Sequence, residues 1–248
     1  MSVTQVFSIL FQAAKLGWSK RRVLGCWWHS VWRGRETVRV SCAQLIRIRQ
    51  GNMFLLVPSS RIEYQMQPPG GVLRALRDGL VFLESINSHQ GDDYAVSKKD
   101  EGDLRIHIPA KNLVKFLRWY ASGKGRETSP EREFREELLD SQILNPTLFG
   151  SPALQRYATK ITGPQFSRHF GCWEVLIHEF YSLDVSEGEA DALRGMQGSE
   201  NCAGAVGTDA KFAWFTPQEI GSGGRLPNSE SQRWRVGEHA GWMLEGEA

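Results

Sequence analysis

The chain has little that would indicate a disulfide scaffold, a zinc site or a membrane-spanning helix. Its four cysteines lie far apart and form no C-x-x-C pair: Cys26, Cys42, Cys172 and Cys202. We therefore expect reduced thiols, as in a cytoplasmic protein, and no zinc site. The apolar stretches near the amino terminus are shorter than the roughly 20 residues that a spanning helix needs. No small-residue cleavage pattern predicts a signal peptide.

The motifs of two common hydrolase classes are also missing. The sequence contains no Gly-x-Ser-x-Gly elbow and no P-loop, so nothing supports a serine hydrolase or a P-loop enzyme. The six histidines have no spacing typical of metal ligands. The 248 residues are 41% hydrophobic and 23% charged, which fits one large globular domain or a domain with an appendage.

Positive charge is concentrated at the amino terminus. The chain has a net charge of +2, but its first 40 residues carry seven lysines and arginines against Glu36 alone. Tryptophans lie beside these cations in the apolar stretch 23–32, which suits a helix in a membrane interface. The alternative is an apolar pair, 6–16 and 23–32, that packs on the body or on a second subunit. We expect residues 1–36 to form an amphipathic helical segment, with residues 1–33 contacting a membrane or supporting a homo-oligomer.

Strand and helix patterns alternate through the rest of the chain without a repeat. Alternating or continuous apolar residues predict strands at 38–49, 53–57, 64–67, 104–108, 172–183 and 211–215. Proline and capping signals predict helices that begin near Pro109, Pro130 and Thr216. Residues 68–71 predict a sharp loop, and residues 148–162 a further short element. These elements do not follow a strict βαβ order, so we expect an α+β sandwich with a mixed sheet.

The most informative run is Arg-Glu-Phe-Arg-Glu-Glu at 132–137. Ser129 can cap a helix there and Pro130 suits its first turn. In a helix, Glu133, Glu136 and Glu137 share one face, where their carboxylates repel one another. A hard divalent cation such as Mg²⁺ prefers oxygen ligands and removes that repulsion. By itself such a run is more often a solvated helix face with ion pairs.

Three neighbouring features change that interpretation. Pro69-Gly70-Gly71 precedes the run, a well-signalled helix start leads into it, and the stretch from Trp214 to Glu219-Ile220 follows it. Together, over roughly residues 38–244, these features resemble the Nudix hydrolase family. The second half of the family's box, Arg-Glu-U-x-Glu-Glu with U apolar, is similar position by position to residues 132–137. The resemblance implies an α/β/α sandwich.

The chain departs from the family's box at three positions. Arg118 stands where the family has its leading glycine, Lys124 where it has its first glutamate, and Leu139 where it has its closing glycine. The distance from Gly71 to Arg132 is also longer than usual. We therefore expect a Nudix-like domain over 37–248 with an insertion at about 72–125.

The departures are similar to those of one subgroup, the SMODS-associated Nudix domains. The resemblance is carried by residues 67–71, 103–109, 116–119, 125–127, 132–138 and 237–244. That subgroup occurs beside cGAS-like nucleotidyltransferases in bacterial anti-phage operons of the CBASS type. The resemblance therefore implies a role in antiviral defence.

The family resemblance implies Mg²⁺-assisted hydrolysis of a phosphoanhydride in a nucleotide, with Mn²⁺ as an alternative ion. It assigns the metal to Glu133, Glu136 and Glu137, with Glu136 also catalytic. Arg132 would orient a carboxylate, since it lies four residues from Glu136, or form an ordinary surface ion pair.

Glu127 and the glycine pair complete the candidate site. Glu127 would act as an extra ligand or as the base, or be a plain loop carboxylate. Gly70 and Gly71 would let the backbone approach a phosphate or the metal, or form a plain turn.

A second hypothesis is a binding module. Because the first glutamate of the box is missing, the pocket would recognise a nucleotide without cutting it. The ligand would then be a cyclic oligonucleotide made by a partner nucleotidyltransferase. The amino-terminal segment would be the output, acting on a membrane or on assembly. A third hypothesis is an adaptor with an inert fold.

Overall fold

The structure is a computed structural model that describes residues 20–90, 102–198, 210–222 and 234–244. The α-helices are α1 Lys20–Trp32, α2 Arg77–Ser85, α3 Leu113–Ser122, α4 Glu131–Phe134, α5 Pro146–Phe149, α6 Glu187–Gly195, α7 Pro217–Gly221 and α8 Glu238–Trp242. A 3₁₀ turn at Ala110–Asn112 precedes α3, and a π-helical turn at Arg135–Leu139 follows α4. The apolar piece predicted at 6–16 lies outside the described residues.

Eleven strands form two sheets within the described residues. The strands are β1 Thr37–Arg47, β2 Arg49–Gln50, β3 Met53–Pro58, β4 Gln65–Gln67, β5 Gly70–Val72, β6 His89–Gln90, β7 Arg105–Pro109, β8 Ala153–Ser167, β9 Cys172–Asp184, β10 Ala213–Phe215 and β11 Arg235–Val236. One sheet has the order β6-β7-β1-β9-β8, with β5 also paired to β1, and the other has the order β10-β3-β4-β11, with β2 paired to β3. Because β11 pairs parallel to β4 and β10 antiparallel to β3, the second sheet is mixed and the predicted α+β class is confirmed.

The chain divides into two compact units. The first contains the described residues of 1–44, 72–128 and 158–179, and the second contains those of 45–71, 129–157 and 180–248. The predicted division into 1–36 and 37–248, with an insertion at 72–125, stays a prediction.

The core of the first unit includes the inner face of α1. Val23 and Cys26 are fully buried there, together with the predicted apolar side of α3: Leu113, Phe116, Leu117 and Tyr120. Burial raises the pKa of the Cys26 thiol to about 12. Cys26 is therefore a protonated packing residue at neutral pH.

The core of the second unit anchors the acidic run. Phe134, Leu138 and Leu139 are buried in one cluster with Ile46 and Trp214. The apolar positions of the run thus point into the unit, which fixes the direction in which the glutamates between them can project.

Three local predictions are wrong. Ser129 does not cap α4, because Pro130 occupies the cap position and the helix begins at Glu131 with no side-chain cap. The predicted loop at 68–71 includes the start of β5, which pairs with β1. The short element expected at 148–162 is instead the beginning of β8, a strand of 15 residues.

The predicted cap of the helix that begins near Thr216 is confirmed. Thr216 caps α7: its side chain accepts a hydrogen bond from the backbone N–H of Glu219, and the Glu219 side chain accepts one from the backbone N–H of Thr216. Pro217 is the first residue of the helix. In the described ranges, no helix is long and apolar enough to cross a membrane.

Candidate metal centre at the acidic turn

The acidic run does not continue as the regular α-helix that the sequence predicts. After α4 the chain widens into the π-helical turn, where the Asp140 N–H donates to the Arg135 carbonyl five residues earlier, at 2.9 Å. The wider turn lets Phe134, Leu138 and Leu139 all reach the core. Such turns often occur at functional sites.

Strand β5 brings the glycine pair against this turn. The backbone N–H of Gly70 donates to Oε2 of Glu137 at 2.7 Å. Gly70 has a φ of 133°, which side-chain-bearing residues rarely adopt. The strand therefore presents a backbone donor to a carboxylate of the run at a position that favours glycine.

Gly71 makes room for a second carboxylate. A β-carbon at this position would lie 2.2 Å from Oε2 of Glu133, which is far inside van der Waals contact. Glu133 is only 7% exposed and lies directly against the backbone of Gly71. In this structure the glycine pair receives two glutamates of the run, both within the second unit.

Arg132 joins two of the three glutamates. Its Nη1 lies 2.6 Å from Oε1 of Glu133 and 3.3 Å from Oε2 of Glu136. The Glu136 side chain is about half exposed, in contrast to that of Glu133. Arg132 therefore offsets repulsion between the two carboxylates, and its predicted task of orienting a metal-binding carboxylate stays a prediction.

The surroundings of Glu137 oppose the ionisation of its carboxyl group. Burial, together with repulsion from Glu133 and Glu136, raises the pKa of its carboxyl from 4.5 to about 8, although the Gly70 N–H opposes the shift. A carboxyl in this state gains from any nearby cation.

The three glutamates of the run carry carboxylate oxygens, which divalent ions such as Mg²⁺ prefer as ligands, but these side chains do not converge on one point in the structure. Among the described residues, no three acidic, histidine or cysteine side chains converge as a metal site. The carboxylates of Glu133 and Glu136 are directed towards Arg132. The oxygen donors, the raised pKa of Glu137 and the close approach at Gly71 all suit Mg²⁺ or Mn²⁺. That Glu133, Glu136 and Glu137 hold such an ion stays a prediction.

Glu127, the remaining predicted catalytic residue, belongs to the first unit. Its Oε2 accepts the backbone N–H of Arg74 at 2.9 Å, and its own N–H donates to the Arg74 carbonyl at 2.9 Å. Lys124, which stands at the family's first glutamate, is exposed. Glu127 is thus held by the backbone, and its part in catalysis stays a prediction.

A buried ionic network beside Glu127 was not found from the sequence. Arg126 forms a salt bridge of 2.9 Å with Glu179, and both are almost fully buried. Tyr120 and Gln44 also donate to Glu179, at 3.0 and 3.1 Å. Arg126 in turn donates to the Glu127 carbonyl at 2.7 Å, so the network fixes the backbone that carries Glu127.

The acidic turn also borders an open cleft of about 440 Å³ in the second unit. It is lined by Glu131, Arg132, Phe134, Arg135, Leu139, Gly150, Ser151 and Pro152. The volume is within the range of small-molecule sites. Of the predicted site residues, only Arg132 lines this cleft.

The comparison with protein families agrees with these features. The family described as the SMODS-associated NUDIX domain matches residues 37–244. This range includes the glycine pair, the acidic turn and the capped helix α7. No curated protein matches the chain. The chain therefore belongs to the family of SMODS-associated NUDIX domains, with an α+β fold of the Nudix type.

Proposed function

We propose that this protein is a Mg²⁺-dependent hydrolase of a phosphoanhydride in a nucleoside diphosphate linked to a further group. The observation that supports this most is the seating of Glu133 and Glu137 against the glycine pair. Two buried or partly buried carboxylates and an exposed third, Glu136, lie on one short turn. Arg132 offsets the charges of Glu133 and Glu136, and ionising Glu137 beside them is costly, so a further cation that lets Glu137 ionise would be favoured.

Each residue of the turn has a distinct task in this proposal. Glu137 is steadied by the Gly70 N–H, and Glu133 is confined by Gly71 and Arg132. Glu136, the most exposed of the three, faces solvent and is the carboxylate best able to reach a substrate-bound ion. A bound Mg²⁺ would neutralise phosphate charge and lower the pKa of the attacking water.

Turnover of a substrate panel tests this function. Purified protein with Mg²⁺ should release mononucleotides from nucleotide-linked diphosphates such as ADP-ribose and dinucleoside polyphosphates. Glu136→Gln should abolish the release, whereas Glu187→Gln, an exposed glutamate of α6, should not. Unchanged turnover in Glu136→Gln would refute the assigned role of the turn.

A non-hydrolysing nucleotide sensor is the second candidate. Two observations favour it: Lys124 stands in place of the first box glutamate, and the described residues contain no preformed three-ligand metal site. In that case a cyclic dinucleotide should raise the thermal midpoint and be recovered intact. No shift across a broad cyclic-nucleotide panel would count against a sensor.

We place either activity in bacterial anti-phage signalling, where a neighbouring nucleotidyltransferase makes cyclic oligonucleotides. The family assignment is the support for this context. Cells that carry this gene together with such a nucleotidyltransferase gene should resist phage, and Glu136→Gln should lose resistance if hydrolysis is required. Equal resistance in cells that lack this gene would refute the defence role.

A further inference from the structure

Helix α1 has one face packed on the first unit and an opposite face that is apolar and exposed. Val23, Cys26, His29 and Ser30 are buried, and the His29 ring lies 4.7 Å from the Trp173 ring. The opposite face carries four large apolar side chains that are between 42% and 70% exposed: Leu24, Trp28, Val31 and Trp32. We call these four residues the outer stripe.

The outer stripe is continuous along the helix. Its members are separated by four, three and one residues, which places them on one side of α1. The rings of Trp28 and Trp32 lie 5.5 Å apart. A cluster of exposed tryptophans is unusual on a free protein surface and marks a contact site.

Cations lie at both ends of the stripe. Lys20, Arg21 and Arg22 are exposed at its start, and Arg35 is exposed beyond its end. Arg33, in contrast, is paired with Glu36 at 2.7 Å and lies over the Trp173 ring. Lys20 and Arg21 precede Leu24 and Trp28 by four and seven residues and so lie on the same outward side. Glu36 is the single acidic residue within 20–36. The stripe is therefore an apolar surface inside a positive border.

The positive charges around the outer stripe determine which kind of surface can dock on it. Two copies packed through their stripes would bring cations against cations, in either a parallel or an antiparallel arrangement. An anionic lipid surface instead supplies negative headgroups for the border and an apolar boundary for the tryptophans, whose rings favour that depth. We propose that the outer stripe of α1 docks this protein on anionic membranes, with the helix lying in the interface.

Vesicle binding of the full chain tests the stripe. The protein should co-float with vesicles of phosphatidylcholine and phosphatidylglycerol, and added salt should weaken the binding. The double variant Trp28→Ser/Trp32→Ser should lose binding by roughly tenfold or more. The matched control is Leu80→Ser/Val81→Ser on α2, whose side chains are also exposed, and it should bind like the wild type.

Every other outcome contradicts the proposal. Binding that survives in the tryptophan variant would show that α1 is not the contact. Equal binding to pure phosphatidylcholine would remove the role of the positive border. Absence of vesicle binding, with self-association that depends on Trp28 and Trp32, would make the stripe an interface between copies. Nucleotide turnover in the same variants should be unchanged, which separates this test from that of the proposed function.

Discussion

The backbone N–H of Gly70 donates a 2.7 Å hydrogen bond to Oε2 of Glu137, which joins strand β5 to the acidic turn. This bond favours the ionised carboxylate, but burial and the charges of Glu133 and Glu136 outweigh it. The folded protein without metal thus holds Glu137 in an environment that disfavours its charge. The balance between this hydrogen bond and the unfavourable burial of the charge determines how the stability of the acidic turn responds to pH and to metal.

The first prediction concerns the pH dependence of stability. The folded pKa of Glu137 is raised to about 8 from 4.5, so its contribution to stability is fully present below pH 4.5 and is lost as the pH rises towards 8. Glu137→Gln should therefore raise the thermal midpoint of metal-free protein above pH 8, by about 2–4 °C for each kcal/mol gained. Thermal unfolding in EDTA, measured across this pH range, checks the prediction.

Mg²⁺ should reverse the order of the thermal midpoints of the wild type and Glu137→Gln. Mg²⁺ binds the folded wild type and should stabilise it, whereas Glu137→Gln should gain less. A variant that is less stable than the wild type in EDTA at high pH would contradict the assigned electrostatics.

The second prediction concerns Gly71. In Gly71→Ala the new β-carbon meets the Glu133 carboxylate, which is the movable end of a side chain. The fold should tolerate the change, but the displaced carboxylate should lower turnover by roughly a hundredfold. Gly188→Ala on α6, where a β-carbon meets nothing within 4 Å, is the matched control and should retain full activity. Full activity in Gly71→Ala would show that the position of Glu133 does not matter.

The third prediction concerns the buried pair of Arg126 and Glu179. Arg126→Met or Glu179→Leu alone leaves a buried charge and should cost about 3–5 kcal/mol of unfolding free energy. The double variant should cost less than the sum, and urea denaturation measures all three. The exposed pair Arg33–Glu36 is the control, and breaking it should cost less than about 1 kcal/mol. Additive losses at the buried pair would show that the two charges do not stabilise each other.

Sequence predicted those elements whose signals are local. The capped helix at Thr216 was identified because Thr216, Pro217 and Glu219 satisfy its first turn by themselves. The helix after Pro109 was identified from its own apolar spacing. Residues 132–137 were recognised only together with Pro69-Gly70-Gly71 and the stretch from Trp214 to Ile220, because such a run alone is more often a solvated helix face.

Properties that depend on distant residues escaped prediction. The π-helical turn lies where Phe134, Leu138 and Leu139 pack in a core built partly by Ile46 and Trp214, and the spacing of residues 132–137 alone does not predict it. The contact between Gly71 and Glu133 joins residues 62 positions apart. Likewise, the Arg126–Glu179 pair has no spacing signal, because its partners come from a loop and from strand β9.

Titration with Mn²⁺ by calorimetry tests most directly whether the acidic turn is a metal site, as the proposed hydrolase requires. The wild type should bind Mn²⁺ saturably, with Mg²⁺ competing for the same site. The double variant Glu133→Gln/Glu136→Gln should lose this binding, and Glu187→Gln should retain it. Saturable binding of equal strength in the double variant would contradict the account, because the ion would then be held elsewhere.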